Sequence, residues 1–246
     1  MSAAFHSLVI DSEGHALDAR RHAPDGDPVG VAVVCHPNPA HGGNMDHPVV
    51  VLAAQRAAAA GLLAIRFDFR GVGRSEGDVE DAAGHLEDVR RVAQVVREAA
   101  PQGPLLGAGF SYGARKLTRL IDPSSEDRPP IEGLLLLAPA TRVPKTPRDF
   151  GNLLLGRPLD EAARDADAFR ALARLPVPVE LLVGDRDVVA PVPELRAVLP
   201  LHAHLVVLGG LNHFFSRGRG ASETDEATLI PALDRAWRAL LNVPSP

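Results

Sequence analysis

Residues 104–114 read Pro104-Leu105-Leu106-Gly107-Ala108-Gly109-Phe110-Ser111-Tyr112-Gly113-Ala114. An apolar, strand-compatible run breaks there at a serine, and a helix-compatible stretch follows from Ala114 to Ile121. The serine therefore stands at a strand-to-helix turn, the pattern of a nucleophile elbow. A turn sharp enough to thrust the seryl oxygen clear of the backbone brings strand and helix very close together. Positions two residues to either side then have little room for a side chain, and Gly109 and Gly113 meet that demand.

Outward from this turn the chain alternates. Apolar, β-prone runs at Val29–Cys35, Leu62–Phe67, Pro104–Gly109, Gly133–Ala138, Val177–Val183 and His204–Leu208 are separated by helical patterns at Val49–Ala60, Ala82–Ala99, Tyr112–Ile121, Val192–Leu199 and Thr224–Leu241. Such alternation predicts a mostly parallel, doubly wound α/β sheet flanked by helices. Two earlier runs, Phe5–Ile10 and Ala16–Arg21, are joined by Ser12-Glu13-Gly14 and read as an antiparallel hairpin at the sheet edge. The stretch 141–175 is too long for a simple connection; it holds a helical pattern over Asp160–Leu172 and forms a candidate small lid. The expected organisation is a single α/β domain over residues 1–246.

Composition narrows the function classes. With 46% hydrophobic and 23% charged residues the chain reads as an ordinary globular protein, not a disordered or fibrous one. A net charge of -5 gives no basic footprint for nucleic acid and no polybasic anchor for acidic lipid. The first fifteen residues lack a cationic segment followed by a sustained apolar run, and the greasiest stretches are too short to span a bilayer. A cytoplasmic protein without membrane insertion is the expectation. Cys35 is the only cysteine, which is compatible with a reducing compartment, and it reads as an inert, buried residue.

Open α/β sheets build their sites on the loops that follow the carboxyl ends of their strands. After Val29–Cys35 comes His36-Pro37-Asn38-Pro39 and a glycine-bearing loop through Gly42 and Gly43. Acyl transfer needs two backbone N–H groups aimed at the developing oxyanion, one of them from the residue after the nucleophile. Tyr112 supplies that one. Proline has no N–H, so within 37–39 only Asn38 offers the second. After Val179–Val183 stand two carboxylates, Asp185 and Asp187, and after the last strand comes Asn212-His213-Phe214-Phe215. His213 lies on the same sheet edge as Ser111, whereas His202 and His204 precede the strand and fall on the opposite one. Serine, aspartate and histidine follow in the chain order of the α/β-hydrolase arrangement.

On these residues the chain resembles the α/β-hydrolase superfamily, in particular its small bacterial serine-esterase and dienelactone-hydrolase-like branch. The likeness is carried by His36-Pro37-Asn38-Pro39 with Gly42-Gly43, by Phe67-Asp68-Phe69-Arg70-Gly71-Val72-Gly73-Arg74-Ser75, by the Ser111 turn, by Gly184-Asp185-Arg186-Asp187 with Pro191, and by Asn212-His213-Phe214-Phe215. The resemblance implies a serine hydrolase that cleaves a carboxylic ester or related acyl substrate through an acyl-enzyme intermediate, with no cofactor and no metal. It implies Ser111, His213 and Asp187 as the triad, Asp187 being chosen over Asp185 by its position after the glycine. Asn38 and Tyr112 are the candidate oxyanion donors, and Phe150, Leu154 and Phe214 the candidate substrate-binding residues. Thioesterase, peptidase and lactonase chemistry use the same triad. The insertion 141–175 departs from the most compact relatives.

Three other classes compete. Gly107-Ala108-Gly109 with Gly113 resembles a dinucleotide-binding turn, but the run Gly133–Ala138 ends in Pro139-Ala140 where that fingerprint expects a carboxylate. His36, His41, His47 and Asp46 suggest a metal site, yet their spacing matches no compact zinc pattern. A catalytically silent binding module is the third. Asp68, Arg70 and the glycines up to Ser75 read as a structural turn that ties neighbouring loops together.

Overall fold

The computed structural model describes residues 5–124, 128–155, 157–159, 163–218 and 223–242. Eight strands form one sheet: β1 (Phe5–Ser12), β2 (His15–His22), β3 (Gly30–Cys35), β4 (Leu62–Phe67), β5 (Leu105–Phe110), β6 (Gly133–Leu137), β7 (Val179–Gly184) and β8 (Ala203–Leu208). Their spatial order is β1-β2-β4-β3-β5-β6-β7-β8. The hairpin β1–β2 is antiparallel and lies at the edge, β2 meets β4 antiparallel, and every later pairing is parallel. This is the mixed, mostly parallel architecture that the alternating pattern predicts.

Among the described residues there are seven α-helices: α1 (Pro48–Ala59), α2 (Gly84–Ala99), α3 (Tyr112–Leu120), α4 (Pro147–Leu155), α5 (Ala166–Ala173), α6 (Val192–Val198) and α7 (Glu226–Leu241). Side chains alternate across a strand, so successive residues feed two separate cores. Val31, Val33 and Cys35 face the layer built by α2, α3, α5 and α6, with Val89, Val92, Leu117, Leu172 and Leu195. Ala32 and Val34 face the layer of α1 and α7, with Val50, Ala54, Leu233 and Trp237. The Trp237 indole N–H donates to Ala53 O at 3.1 Å and locks those two helices together.

Strand order reverses at β3. The chain leaves β3 through α1 on one face toward β4, and leaves β5 through α3 on the other face toward β6. Loops that part in opposite directions open a crevice at the strand ends, where ligands bind in such sheets.

The region 141–175 differs in detail from its sequence reading. Its described residues hold the helices α4 and α5, and the described helix within Asp160–Leu172 begins only at Ala166, where the Asp165 carboxylate accepts the N–H groups of Asp167 and Ala168. Residues 160–162 lie outside the described set. A small apolar cluster of Ala140, Leu159, Ala163 and Val189 holds the region against the loop after β7, and Arg115 pairs with Asp165. Arg142 bonds Glu194 at 2.5 Å. Among the described residues, no helix is long and apolar enough to cross a membrane.

Candidate active site

Ser111 takes φ 53° and ψ -104°, a left-handed conformation that costs a non-glycine residue about 1–3 kcal/mol. The surroundings over-determine it: Ser111 N–H donates to Leu137 O at 2.9 Å, and Ser111 O accepts the Arg115 N–H at 3.2 Å. A Cβ on Gly109 would lie 2.5 Å from Ala114 N, and one on Gly113 would lie 2.5 Å from Cys35 O. Both glycines thus stand where strand, helix and neighbouring strand touch backbone to backbone.

Ser111 Oγ lies 2.9 Å from His213 Nε2, and His213 Nδ1 lies 2.8 Å from Asp187 Oδ2. All three side chains are buried. The second oxygen of Asp187 accepts the N–H groups of Val189 and Ala190, each at 2.8 Å, which fixes the carboxylate plane. Asp185 points elsewhere, accepting the Gly210 N–H at 2.7 Å. The His213 backbone is held by a tight turn. Asn212 Oδ1 accepts from Phe214 N at 2.9 Å and Ser216 N at 3.2 Å, and Phe215 adopts φ 53°.

A cavity of about 410 Å³ opens beside Ser111. Asn38, Tyr112, His213 and Phe214 line it, and Phe110, Ala140, Val143, Pro144, Leu153 and Val189 give it an apolar surface. Asn38 begins a short turn in which its side chain accepts the Ala40 N–H at 3.1 Å and its carbonyl accepts from His41 and Gly43. A second, more polar cavity of about 520 Å³ adjoins the first and shares Leu153, His213 and Phe214 with it. The side chains of Phe150 and Leu154 lie outside the described set. Phe215 packs in the core against Phe110, away from the cavity.

Several lining residues were not singled out by sequence as substrate contacts: His41, His47, Arg115 and Arg142. For His41 and His47 the signal was their place on the loop after β3. For Arg115 it was the first exposed turn of the helix behind the serine. The two arginines are the charged residues of the described lining, and each is paired with a carboxylate.

The remaining histidine of the metal hypothesis is otherwise employed. His36 is fully buried; its Nδ1 bonds Pro37 O at 2.7 Å and its Nε2 accepts the Phe69 N–H at 3.1 Å. Burial pushes its pKa down to about 3. With both ring nitrogens used by backbone, His36 has no lone pair left for a metal. Burial also pushes Cys35 upward, away from thiolate. At the other end of the sheet, His204 pairs with Glu180 at 2.8 Å.

Comparison with known proteins agrees with the fold. The family model described as serine aminopeptidase, S33 matches residues 26–165, more than half of the chain. A monoacylglycerol lipase of Mycolicibacterium smegmatis is 38% identical over 103 residues, which span 37% of this chain and 35% of that protein. An alpha-beta serine hydrolase homologue of Coxiella burnetii superposes with TM-score 0.73 at 25% identity, covering 96% of this chain and 97% of its own. A serine hydrolase of Xanthomonas campestris described as lacking a lid superposes with TM-score 0.70 at 25% identity, covering 99% and 98%. The chain therefore belongs to the S33 serine aminopeptidase family of the α/β-hydrolase superfamily, and is a hydrolase of the serine α/β type.

Proposed function

We propose that the protein hydrolyses a small carboxylic ester through an acyl-enzyme intermediate, with Ser111 as nucleophile, His213 as general base and acid, and Asp187 as the group that orients it. The observation that carries this reading is the unbroken chain from Ser111 Oγ through His213 to Asp187, at 2.9 Å and 2.8 Å. With the proton of neutral His213 held on Nδ1 by Asp187, Nε2 is free to take the seryl proton as Oγ attacks the carbonyl carbon. The tetrahedral oxyanion is received by the backbone N–H groups of Asn38 and Tyr112, a donor of this kind being worth about 3 kcal/mol in the transition state. His213 then protonates the leaving alkoxide. Water deprotonated by the same nitrogen attacks the acyl carbon, the acid leaves, and Ser111 recovers its proton.

Ester chemistry fits the cavity better than aminopeptidase chemistry. An aminopeptidase must receive a substrate's free α-ammonium, whereas the charges on the described lining are the cations Arg115 and Arg142. An apolar cavity of about 410 Å³ suits a short or medium acyl chain. We propose that the segment 141–175, which contributes Arg142, Val143, Pro144 and Leu153 to the lining, acts as a small fixed cap within one domain.

The test is a panel of chromogenic esters of graded acyl length, with thioester, lactone and aminoacyl analogues alongside, run on the native chain and on Ser111→Ala. Fluorophosphonate should label Ser111. The variant should stay folded and lose turnover by a factor on the order of 10⁴–10⁶. Substantial residual turnover in that variant rules the assignment out, and preferential cleavage of aminoacyl substrates rules out the ester reading.

A further inference from the structure

His47 lines the cavity beside Ser111 yet has no part in the chain of bonds from Ser111 to Asp187. Its Nδ1 accepts the Val49 N–H at 3.3 Å and caps α1. A backbone N–H can only donate, so this nitrogen is an acceptor, and the one proton of the neutral ring resides on Nε2. The ring packs 5.0 Å from that of Phe110, whose ring lies 5.5 Å from His213, so Phe110 braces both imidazoles. Burial, and secondarily the neighbouring His213, push His47 down to about 4, which leaves it uncharged near neutrality. His36 uses both nitrogens on backbone, but for His47 only Nδ1 is used so, and the residue lines the cavity.

We infer that the Nε2–H of His47 is a fixed, uncharged hydrogen-bond donor to a substrate oxygen other than the reacting carbonyl. It makes the protein selective for acyl substrates that carry an ether, hydroxyl or carbonyl oxygen near the scissile bond over their hydrocarbon isosteres. The inference rests on the hydrolase reading of Ser111. Its physical basis is asymmetry: a polar donor in a cavity walled by Phe110, Ala140, Val143 and Leu153 loses hydration when an all-carbon chain fills the space. A substrate that supplies an acceptor avoids that loss, and sites built around a donor discriminate against analogues that cannot use it.

Two isosteric pairs locate the oxygen. In the acyl arm p-nitrophenyl methoxyacetate is compared with p-nitrophenyl butanoate, and in the alcohol arm methoxyethyl butanoate with butyl butanoate. The readout is the ratio of kcat/KM within each pair, normalised to alkaline hydrolysis of the same pair. Two variants separate recognition from stability, because an asparagine amide sits near the Nδ1 position and a glutamine amide near Nε2. His47→Asn keeps the helix cap and should lower the oxygen-to-methylene ratio about tenfold in one arm. His47→Gln gives up the cap but should hold the ratio within about threefold of the native value. Unchanged ratios for His47→Asn in both arms, or an equal loss in both variants, overturn the proposal. If His47→Asn does not fold, a native preference of less than about threefold in both arms overturns it instead. Failure of the hydrolase reading looks different, since Ser111 would then escape fluorophosphonate labelling in the native chain.

Discussion

Gly113→Ala places a single methyl where the first turn of α3 meets the end of β3 backbone to backbone. The added carbon would lie 2.5 Å from Cys35 O, 2.7 Å from Cys35 C and 2.7 Å from His36 O, all of them backbone atoms. Ordinary contact begins near 3.4 Å, so the shortfall is 3.4 minus 2.5, about 0.9 Å. No rotamer change can relieve it. The end of β3 is paired on both sides, Val34 with Arg66 and Cys35 with Gly109, so α3 and the loop from His36 must part instead. Overpacking of this kind costs about 1–3 kcal/mol. The displacement falls between Asn38 and Tyr112, the two proposed oxyanion donors, and a misplacement near 1 Å at such a site costs roughly 10²-fold in rate. The assay is urea denaturation together with kcat on a chromogenic ester. Gly151→Ala, whose new carbon meets nothing within 4 Å, is the matched control and should leave both quantities near native. Native stability together with native kcat in Gly113→Ala would refute the account of the elbow as a backbone contact that only glycine permits.

Further outcomes are expected from the buried ionisable groups. His22, His36 and His47 are pushed by burial to about 4, 3 and 4, below the usual 6.5, so between those limits the unfolded chain holds more protons and stability rises with pH. Asp68, raised by burial to about 6, opposes them by one proton, which leaves a net of about two near pH 5 and a loss of about 2–3 kcal/mol per pH unit as pH falls from 6 to 4.5. Urea midpoints that stay level across that interval would contradict this. Asp187→Asn keeps an oxygen for the Val189 and Ala190 N–H groups but turns an NH₂ toward His213 Nδ1, which moves the ring proton to Nε2. Turnover should fall about 10²–10⁴-fold with the melting temperature little changed. Asp88→Ala removes the fully buried partner of Arg70 and should cost about 3–5 kcal/mol in urea denaturation, with kcat of the folded protein within a few-fold of native.

The sheet and its elbow were legible because they rest on local, repetitive constraints. Strand residues buried on both faces read as apolar runs, and the elbow needs glycine at two fixed offsets from Ser111. The chain order of Ser111, Asp187 and His213 was also legible, since each follows a strand and strand ends share one edge. The choice of Asp187 over Asp185 rested on the resemblance alone, through its position after the glycine, because both carboxylates sit in one turn. The fold turns Asp187 to His213 and Asp185 to Gly210. Helix α4 went unread because the segment Pro147–Leu155 is short and carries Gly151, a poor helix former, and its Leu153 packs against a cluster that includes the distant Val189. The second role of His47 was hidden for a related reason: the proton position on its ring is set by its own helix, and its neighbour Phe110 belongs to a different strand.

The segment after β4 shows how the distant parts of the site are kept in register. Asp68 Oδ1 accepts the Met45 N–H at 2.7 Å, anchoring the far end of the loop that begins at His36, while the Phe69 N–H donates to His36 Nε2 at the near end. Phe69 then packs edge-on against the Tyr112 ring at 5.9 Å, and His85, stacked on Phe69 at 4.8 Å, bonds the Tyr112 hydroxyl at 2.8 Å. One three-residue stretch, Asp68-Phe69-Arg70, thus grips both loops that carry the proposed oxyanion donors, and Arg70 fastens it to α2 through Asp88. Apart from Tyr112, none of these residues is among those that line the cavity beside Ser111. The grip requires a neutral His36 acceptor and an Asp68 oxygen that accepts the Met45 N–H, and burial lowers the pKa of the one and raises that of the other. Preorganisation of the donors is therefore maintained by polar groups whose protonation changes only below neutrality, so the scaffold should hold its shape through the range in which a serine–histidine pair operates.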